Sequence, residues 1–161
     1  MSARVEITLT VNGERVTRSV EPRRHLVDFL RLDLGLTGSH AGCEHGVCGA
    51  CTLCVDGEIV RGCLVLAASL DGAEVMTIEG LTESAEAEDL QAAFVARNAA
   101  QCGFCTPGMV MAAADILRQH PDATRDEIRE HLSGNYCRCT GYQAIVDAVE
   151  STLAARRGDA R

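Results

Sequence analysis

Nine cysteines are the residues of this chain most able to do chemistry: Cys43, Cys48, Cys51, Cys54, Cys63, Cys102, Cys105, Cys137 and Cys139. An odd number disfavours a closed disulfide framework, and in a reducing compartment clustered thiols more often bind metal. Spacing sorts eight of them into two sets. Cys43, Cys48, Cys51 and Cys63 read C-x4-C-x2-C-x11-C, while Cys102, Cys105, Cys137 and Cys139 read C-x2-C-x31-C-x-C. The first is the plant-type [2Fe–2S] spacing, in which three thiolates on a tight loop wrap a small inorganic core and a fourth closes it from a separate element. Such a core bound by four thiolates is anionic and needs backbone N–H donors close by, hence little Cβ obstruction. The loop Gly42-Cys43-Glu44-His45-Gly46-Val47-Cys48-Gly49-Ala50-Cys51 places glycine or another small residue at most non-ligand positions. A zinc knuckle, usually built from paired C-x2-C units, fits this set poorly.

The second set is open between iron–sulfur and a Cys₄ zinc site on spacing alone. Its setting is informative. Cys105 precedes Thr106-Pro107-Gly108 and an apolar run, with Thr as N-cap and Pro at the first helical position. Cys139 precedes Thr140-Gly141-Tyr142-Gln143, a T-x-x-Q capping-box pattern. Both pairs are thus expected near helix N-termini, where the dipole favours anionic sulfur. Cys54 lies in the strand-like Thr52-Leu53-Cys54-Val55 and reads as a small buried hydrophobe. His45 sits in the first loop, but a Rieske centre needs two histidines and only one is near, so it reads as a solvated loop residue.

The elements that must position these thiols fall into two groups. Residues 4–11 and 14–20 alternate and are joined by Asn12-Gly13, a strong hairpin signal. Residues 25–33 look helical, with Leu26, Phe29 and Leu30 on one face. Asp56-Gly57 marks a second hairpin, and a last strand is expected over 74–78. Two strands, a helix and three strands, with the cysteine loop after the helix, fit a β-grasp sheet. From about residue 80 the composition turns acidic and poor in β-branched residues. Four helices are predicted over about 87–100, 106–119, 125–133 and 141–156. Thr124 and Glu127 form a capping box, and Gly134 suits the stop of the third helix. Tyr142, Ile145, Val146, Val149 and Leu153 make the core stripe of the last. The fold class is therefore α+β: a ferredoxin-like domain over 1–79, a linker at about 79–86 and a four-helix bundle over 87–161. Each half is small enough to need its cluster as a staple.

Composition narrows the function. The chain has 161 residues, 47% hydrophobic, with two Tyr, three Phe and no Trp. A net charge of −8 argues against nucleic acid as a partner, which needs a basic face. All 15 basic residues are Arg, consistent with codon bias in a GC-rich genome. No apolar run approaches the roughly 18 residues of a membrane span. The opening MSARVEITLTVNGERV alternates and lacks the apolar stretch of an export signal, so a cytoplasmic protein is expected. No general acid–base pair, activated nucleophile or phosphate loop is present, so substrate chemistry is expected on another chain.

Three stretches, Gly42–Thr52 (GCEHGVCGACT), Gln101–Gly108 (QCGFCTPG) and Gly134–Tyr142 (GNYCRCTGY), resemble the iron–sulfur subunit of the molybdenum hydroxylases, the xanthine dehydrogenase/aldehyde oxidoreductase family, over roughly residues 4–155. The resemblance implies a second [2Fe–2S] cluster on the second cysteine set. It implies a large molybdopterin subunit and an FAD subunit as partners, often as a dimer of heterotrimers. Electrons would run from molybdenum through the helical-domain cluster, then the ferredoxin-like cluster, to FAD. By the same resemblance Gln101 hydrogen-bonds the pterin and Cys139 links the pterin edge to the nearer cluster, and an aliphatic residue usually stands where this chain has Cys54. An N-heterocycle, an aldehyde or a related organic substrate is expected. Two other classes compete: a free-standing two-cluster ferredoxin serving several partners, and a zinc-stabilised interaction module.

Overall fold

Alternation of apolar and polar residues builds the first strands. A computed structural model of the chain describes residues 4–158; the outermost residues of the two predicted domains, 1–3 and 159–161, lie outside the described residues. Strand β1 (Val5–Val11) buries Ile7, Leu9 and Val11 and pairs antiparallel with β2 (Glu14–Val20). Asn12 and Gly13 both take positive φ in the turn between them, as a two-residue hairpin requires. Helix α1 (Leu26–Asp28) follows and widens into a π-helical turn over Phe29–Asp33. Leu26, Phe29 and Leu30 are fully buried, so the predicted face is the one the core uses.

Strands β3 (Thr52–Val55) and β4 (Glu58–Arg61) form the second hairpin, and β5 (Glu74–Met76) is the last strand. The sheet order is β2-β1-β5-β3-β4, with β1 and β5 parallel and the other neighbours antiparallel. The last strand made therefore occupies the centre. Its core gathers Ile7, Leu9, Leu26, Phe29, Leu53 and Val75.

Helices follow: α2 (Ile78–Glu83), α3 (Glu88–Ala96), α4 (Thr106–Gln119), α5 (Arg125–Leu132) and α6 (Gln143–Arg157). Residues 79–83 of the stretch read as a linker are thus helical, in α2. Helix α4 is apolar almost all round because it lies between β3 and the helices α5 and α6. Its buried side chains include Ala112 and Ala113, small enough for close packing, beside the larger Met109 and Ile116. Thr124 caps α5 with the expected reciprocal box to Glu127. The core stripe of α6 is confirmed at Ile145, Val146, Val149 and Leu153, all buried.

Three local expectations are corrected. Cys105, not Thr106, is the N-cap of α4, so Pro107 stands at the second helical position. Thr140 and Gln143 form no capping box. The N-cap of α6 is Tyr142 in the left-handed region (φ 69°), and the Thr140 hydroxyl turns back to the Cys137 sulfur at 3.1 Å. Gly134 follows the end of α5 without a left-handed φ. A Cβ there would lie 2.5 Å from the Arg61 guanidinium, so close approach explains the glycine.

Candidate iron–sulfur sites

The first thiol set is presented by the loop between the π-helical turn and β3, with Cys63 just beyond β4. Cys51 and Cys63 are buried and pack with Val27 and Ala41, while Cys43 and Cys48 are half-buried. The Cys48 backbone N–H donates to the Cys43 sulfur at 3.3 Å. That bond, helped by the N–H of His45, pulls the Cys43 thiol down to about 6. Burial, with the Cys51 thiol beside it and Cys43 near, pushes Cys63 up to about 11. Two glycines in the loop have separate reasons. A Cβ on Gly42 would sit a tight 3.0 Å from the Cys48 sulfur, and Gly46 takes a left-handed φ of 83°. His45 is exposed and its ring N–H donates to the Cys43 carbonyl; it folds back on its own loop.

The second set joins two segments. Cys102 and Cys105 precede α4, with Cys105 at its N-cap, and Cys137 and Cys139 lie in the turn before α6. Burial, then the Cys137 and Cys102 thiols, push Cys105 up to about 12. Burial also opposes ionisation of Cys137, but the Thr140 hydroxyl and the N–H groups of Cys139 and Thr140 hold it below its ordinary value. Cys102 and Cys139 are exposed, as is Gln101 beside them. The outer edge of this set therefore faces solvent.

Burial first, then the neighbouring thiols, raises Cys63 and Cys105, while N–H donors are aimed at the sulfurs of Cys43 and Cys137. A cationic iron core resolves that conflict, since coordination replaces the protons. The donor chemistry, four thiols in each set with N–H groups on the sulfurs of Cys43 and Cys137, fits a [2Fe–2S] group at each site.

The two sites are back to back. The Tyr136 N–H donates to the Cys48 carbonyl at 2.8 Å, placing a residue adjacent to Cys137 on a residue of the first set. Phe104, adjacent to Cys105, stacks on His40 with ring centroids 4.8 Å apart and accepts the His40 Nδ1–H at its carbonyl, 2.7 Å. A Cβ on Gly108 would fall 2.3 Å from the Gly49 carbonyl oxygen. Cys54 belongs to neither set: it is buried among Leu81, Met111 and other apolar side chains, and burial raises its thiol.

Comparison with known proteins agrees with this arrangement. Residues 9–82 match the 2Fe-2S iron-sulfur cluster binding domain, and residues 77–150 match a second [2Fe-2S] binding domain. The chain is 54% identical to the nicotine 6-hydroxylase small subunit of Paenarthrobacter nicotinovorans, over 92% of this chain and 89% of that one. The chain belongs to the iron–sulfur small-subunit family of the molybdenum hydroxylases. Within this family it is also 51% identical to the caffeine dehydrogenase subunit gamma of Pseudomonas sp. (strain CBB1), over 94% of this chain and 92% of that one. A crystal structure of quinoline 2-oxidoreductase from Pseudomonas putida 86 superposes with a TM-score of 0.89 at 48% identity, covering 97% of this chain and 98% of that one.

Two residues of the sites are not legible in the sequence. Asn135 is buried and bonds across both loops, and the Tyr142 hydroxyl accepts the Cys137 N–H at 2.9 Å. Each stands next to a cysteine motif, but nothing in a residue's type or spacing tells which backbone group its side chain reaches.

Proposed function

We propose that the chain is the electron-transfer subunit of a heteromeric molybdenum hydroxylase. It holds one [2Fe–2S] cluster on Cys43, Cys48, Cys51 and Cys63 and another on Cys102, Cys105, Cys137 and Cys139. Each cluster, when bound, takes up and releases one electron. The work of the protein is to fix two such carriers at a short separation and to present one edge of each to a partner. The observation that supports this reading is the Tyr136 N–H bond to the Cys48 carbonyl, which ties the segments of the two cysteine sets together, with the far edge of the second set open at Gln101, Cys102 and Cys139.

On this reading the open edge meets the molybdopterin subunit. Gln101 supplies an amide for the pterin, and Cys139 is the sulfur nearest to it. Val47 and Leu64, exposed apolar residues beside the first site, face the FAD subunit. The division into a ferredoxin-like unit (1–79) and a helical unit (87–161) assigns one carrier to each, with α3 to α6 as a four-helix bundle. The assembly is a dimer of heterotrimers in the cytoplasm. The names of relatives, which speak of nicotine, caffeine and quinoline, support an N-heterocycle as the substrate of the complex. The test is anaerobic purification with the neighbouring large chains. About four iron and four labile sulfide per chain are expected, with molybdenum and FAD in the co-purifying subunits. Zinc in place of iron, or a chain that never associates with larger partners, refutes the reading. Gln101→Ala is expected to keep all the iron yet slow reduction of the clusters by substrate; an unchanged rate with full molybdenum content counts against its placement.

A further inference from the structure

Asn135 is 2% exposed and sits where the two cysteine sites meet. Its Nδ2 is 3.0 Å from each of three acceptors: the Gly49 carbonyl, the Thr52 hydroxyl and the Gly108 carbonyl. Its Oδ1 accepts from Arg61 Nη2 at 3.2 Å. The orientation of the amide is fixed by chemistry, because a guanidinium only donates and carbonyls only accept. Arg61 adds bonds to the Gly134 carbonyl (2.8 Å) and the Thr52 hydroxyl (2.7 Å), and Thr52 in turn donates to the Gly49 carbonyl (2.6 Å).

Every group in this network belongs to a segment that carries thiols. Gly49 follows Cys48, Gly108 lies three residues after Cys105, and Asn135 itself lies two residues before Cys137. One side chain therefore joins the first loop to both segments of the second site. We propose that Asn135, with Arg61 and Thr52 behind it, is a positioning residue that sets the separation and mutual orientation of the two clusters. The inference rests on the two-cluster reading above. An apolar residue at 135 would remove the one donor that the Gly49 and Gly108 carbonyls share, leaving Gly49 to the Thr52 hydroxyl and N–H and nothing to tie the first cysteine loop to α4 through this side chain. The network acts on distance, which is the quantity that governs how strongly two paramagnetic centres feel one another and how fast an electron crosses between them.

The test uses the full chain with both clusters loaded. Asn135→Asp keeps the shape and the acceptor for Arg61 but turns a second oxygen toward the two carbonyls. The reduced wild-type chain is expected to show electron paramagnetic resonance signals of both clusters, broadened by their mutual interaction. In Asn135→Asp the iron content and each cluster's own g-values should persist while that interaction weakens. Electron exchange between the clusters should slow by about tenfold, equivalent to about 1.4 kcal/mol of barrier. Asn135→Asp with both clusters, unchanged interaction and unchanged exchange rate overturns the proposal. If that variant loses a cluster, Thr52→Ala, which deletes one acceptor of Asn135, carries the test with the same expectation, and Thr52→Ser should restore wild-type spectra. Loss of a cluster from both variants would show that these residues hold a loop and not a separation, and would overturn it as well. A wild-type chain with no clusters at all is a different failure, that of the two-cluster reading.

Discussion

Replacing Gly108 by Ala drives a methyl group into the seam between the two halves. The added Cβ would lie 2.3 Å from the Gly49 carbonyl oxygen and 3.1 Å from that of Ala50, both backbone atoms with no rotamer to escape into. Real Cβ atoms keep at least 3.0 Å from such neighbours, so helix α4 or the first cysteine loop must retreat by about 0.7 Å. Overpacking of this kind costs about 1–3 kcal/mol. The retreat also stretches the Asn135 bond to Gly108, which adds about 1 kcal/mol for a net hydrogen bond. A total of about 2–4 kcal/mol lowers the melting temperature of a chain this size by roughly 4–16 °C, at about 2–4 °C per kcal/mol. The assay is thermal unfolding of the iron-loaded chain followed by circular dichroism, with Gly72→Ala as the control. Gly72 has positive φ but nothing within 4 Å of an added Cβ, so only the backbone cost of about 1–2 kcal/mol applies there. A Gly108→Ala chain that melts within 2 °C of wild type, a window set by that same conversion of about 2–4 °C per kcal/mol, would refute the claim that the halves are in contact through this residue.

Cys48→Ala is expected to remove one cluster, halving iron and sulfide, whereas Cys54→Ala leaves the iron content unchanged; metal analysis of both variants decides between ligand and filler. Tyr142→Phe deletes the acceptor of the Cys137 N–H, leaving a half-buried donor at a cost of about 1–3 kcal/mol, and should shift the reduction potential of the second cluster in redox titration without loss of iron. Arg156 bonds both carboxylate oxygens of Asp89 at 2.7 Å and holds that group below its ordinary 3.8. The pair's stabilisation is therefore complete above pH 3.8 and fades as the pH falls through the lowered value. At this exposure it amounts to about 0.2–1 kcal/mol; nuclear magnetic resonance titration should show the Asp89 carboxyl moving up in Arg156→Ala, and an unmoved carboxyl would count against the pair.

Features that the chain writes locally are legible in its sequence. Period-two alternation marks β1 and β2, Asn12-Gly13 and Asp56-Gly57 mark the two hairpin turns, and the Thr124–Glu127 box forms as expected. Cysteine spacing alone separates the eight thiols from Cys54. A local signal fails where it competes with a tertiary partner. Thr140 has the sequence of a cap, but a neighbouring sulfur takes its hydroxyl, and the left-handed Tyr142 starts the helix instead. Gly134 looks like a stop and is a clearance for Arg61, 73 residues away. The clamp at Asn135 is invisible for the same reason, because its partners lie 86 and 27 residues off.

The central place of β5 has a consequence for biosynthesis. Until Met76 has left the ribosome, the two hairpins β1–β2 and β3–β4 cannot be joined, since the strand that lies between them does not yet exist. Each then presents an unpaired inner edge, the kind of surface that invites mispairing during synthesis. Cys43, Cys48, Cys51 and Cys63 all precede β5 in the chain, so iron can reach that loop while the sheet is still open, and a loaded loop would hold the β3–β4 hairpin in its final twist. The second set has no such head start. Its proposed ligands flank α4 and α5, so those helices must be made and folded back before Cys137 and Cys139 can meet Cys102 and Cys105. On the proposed ligand sets, all four thiols of the first site are synthesised before any thiol of the second.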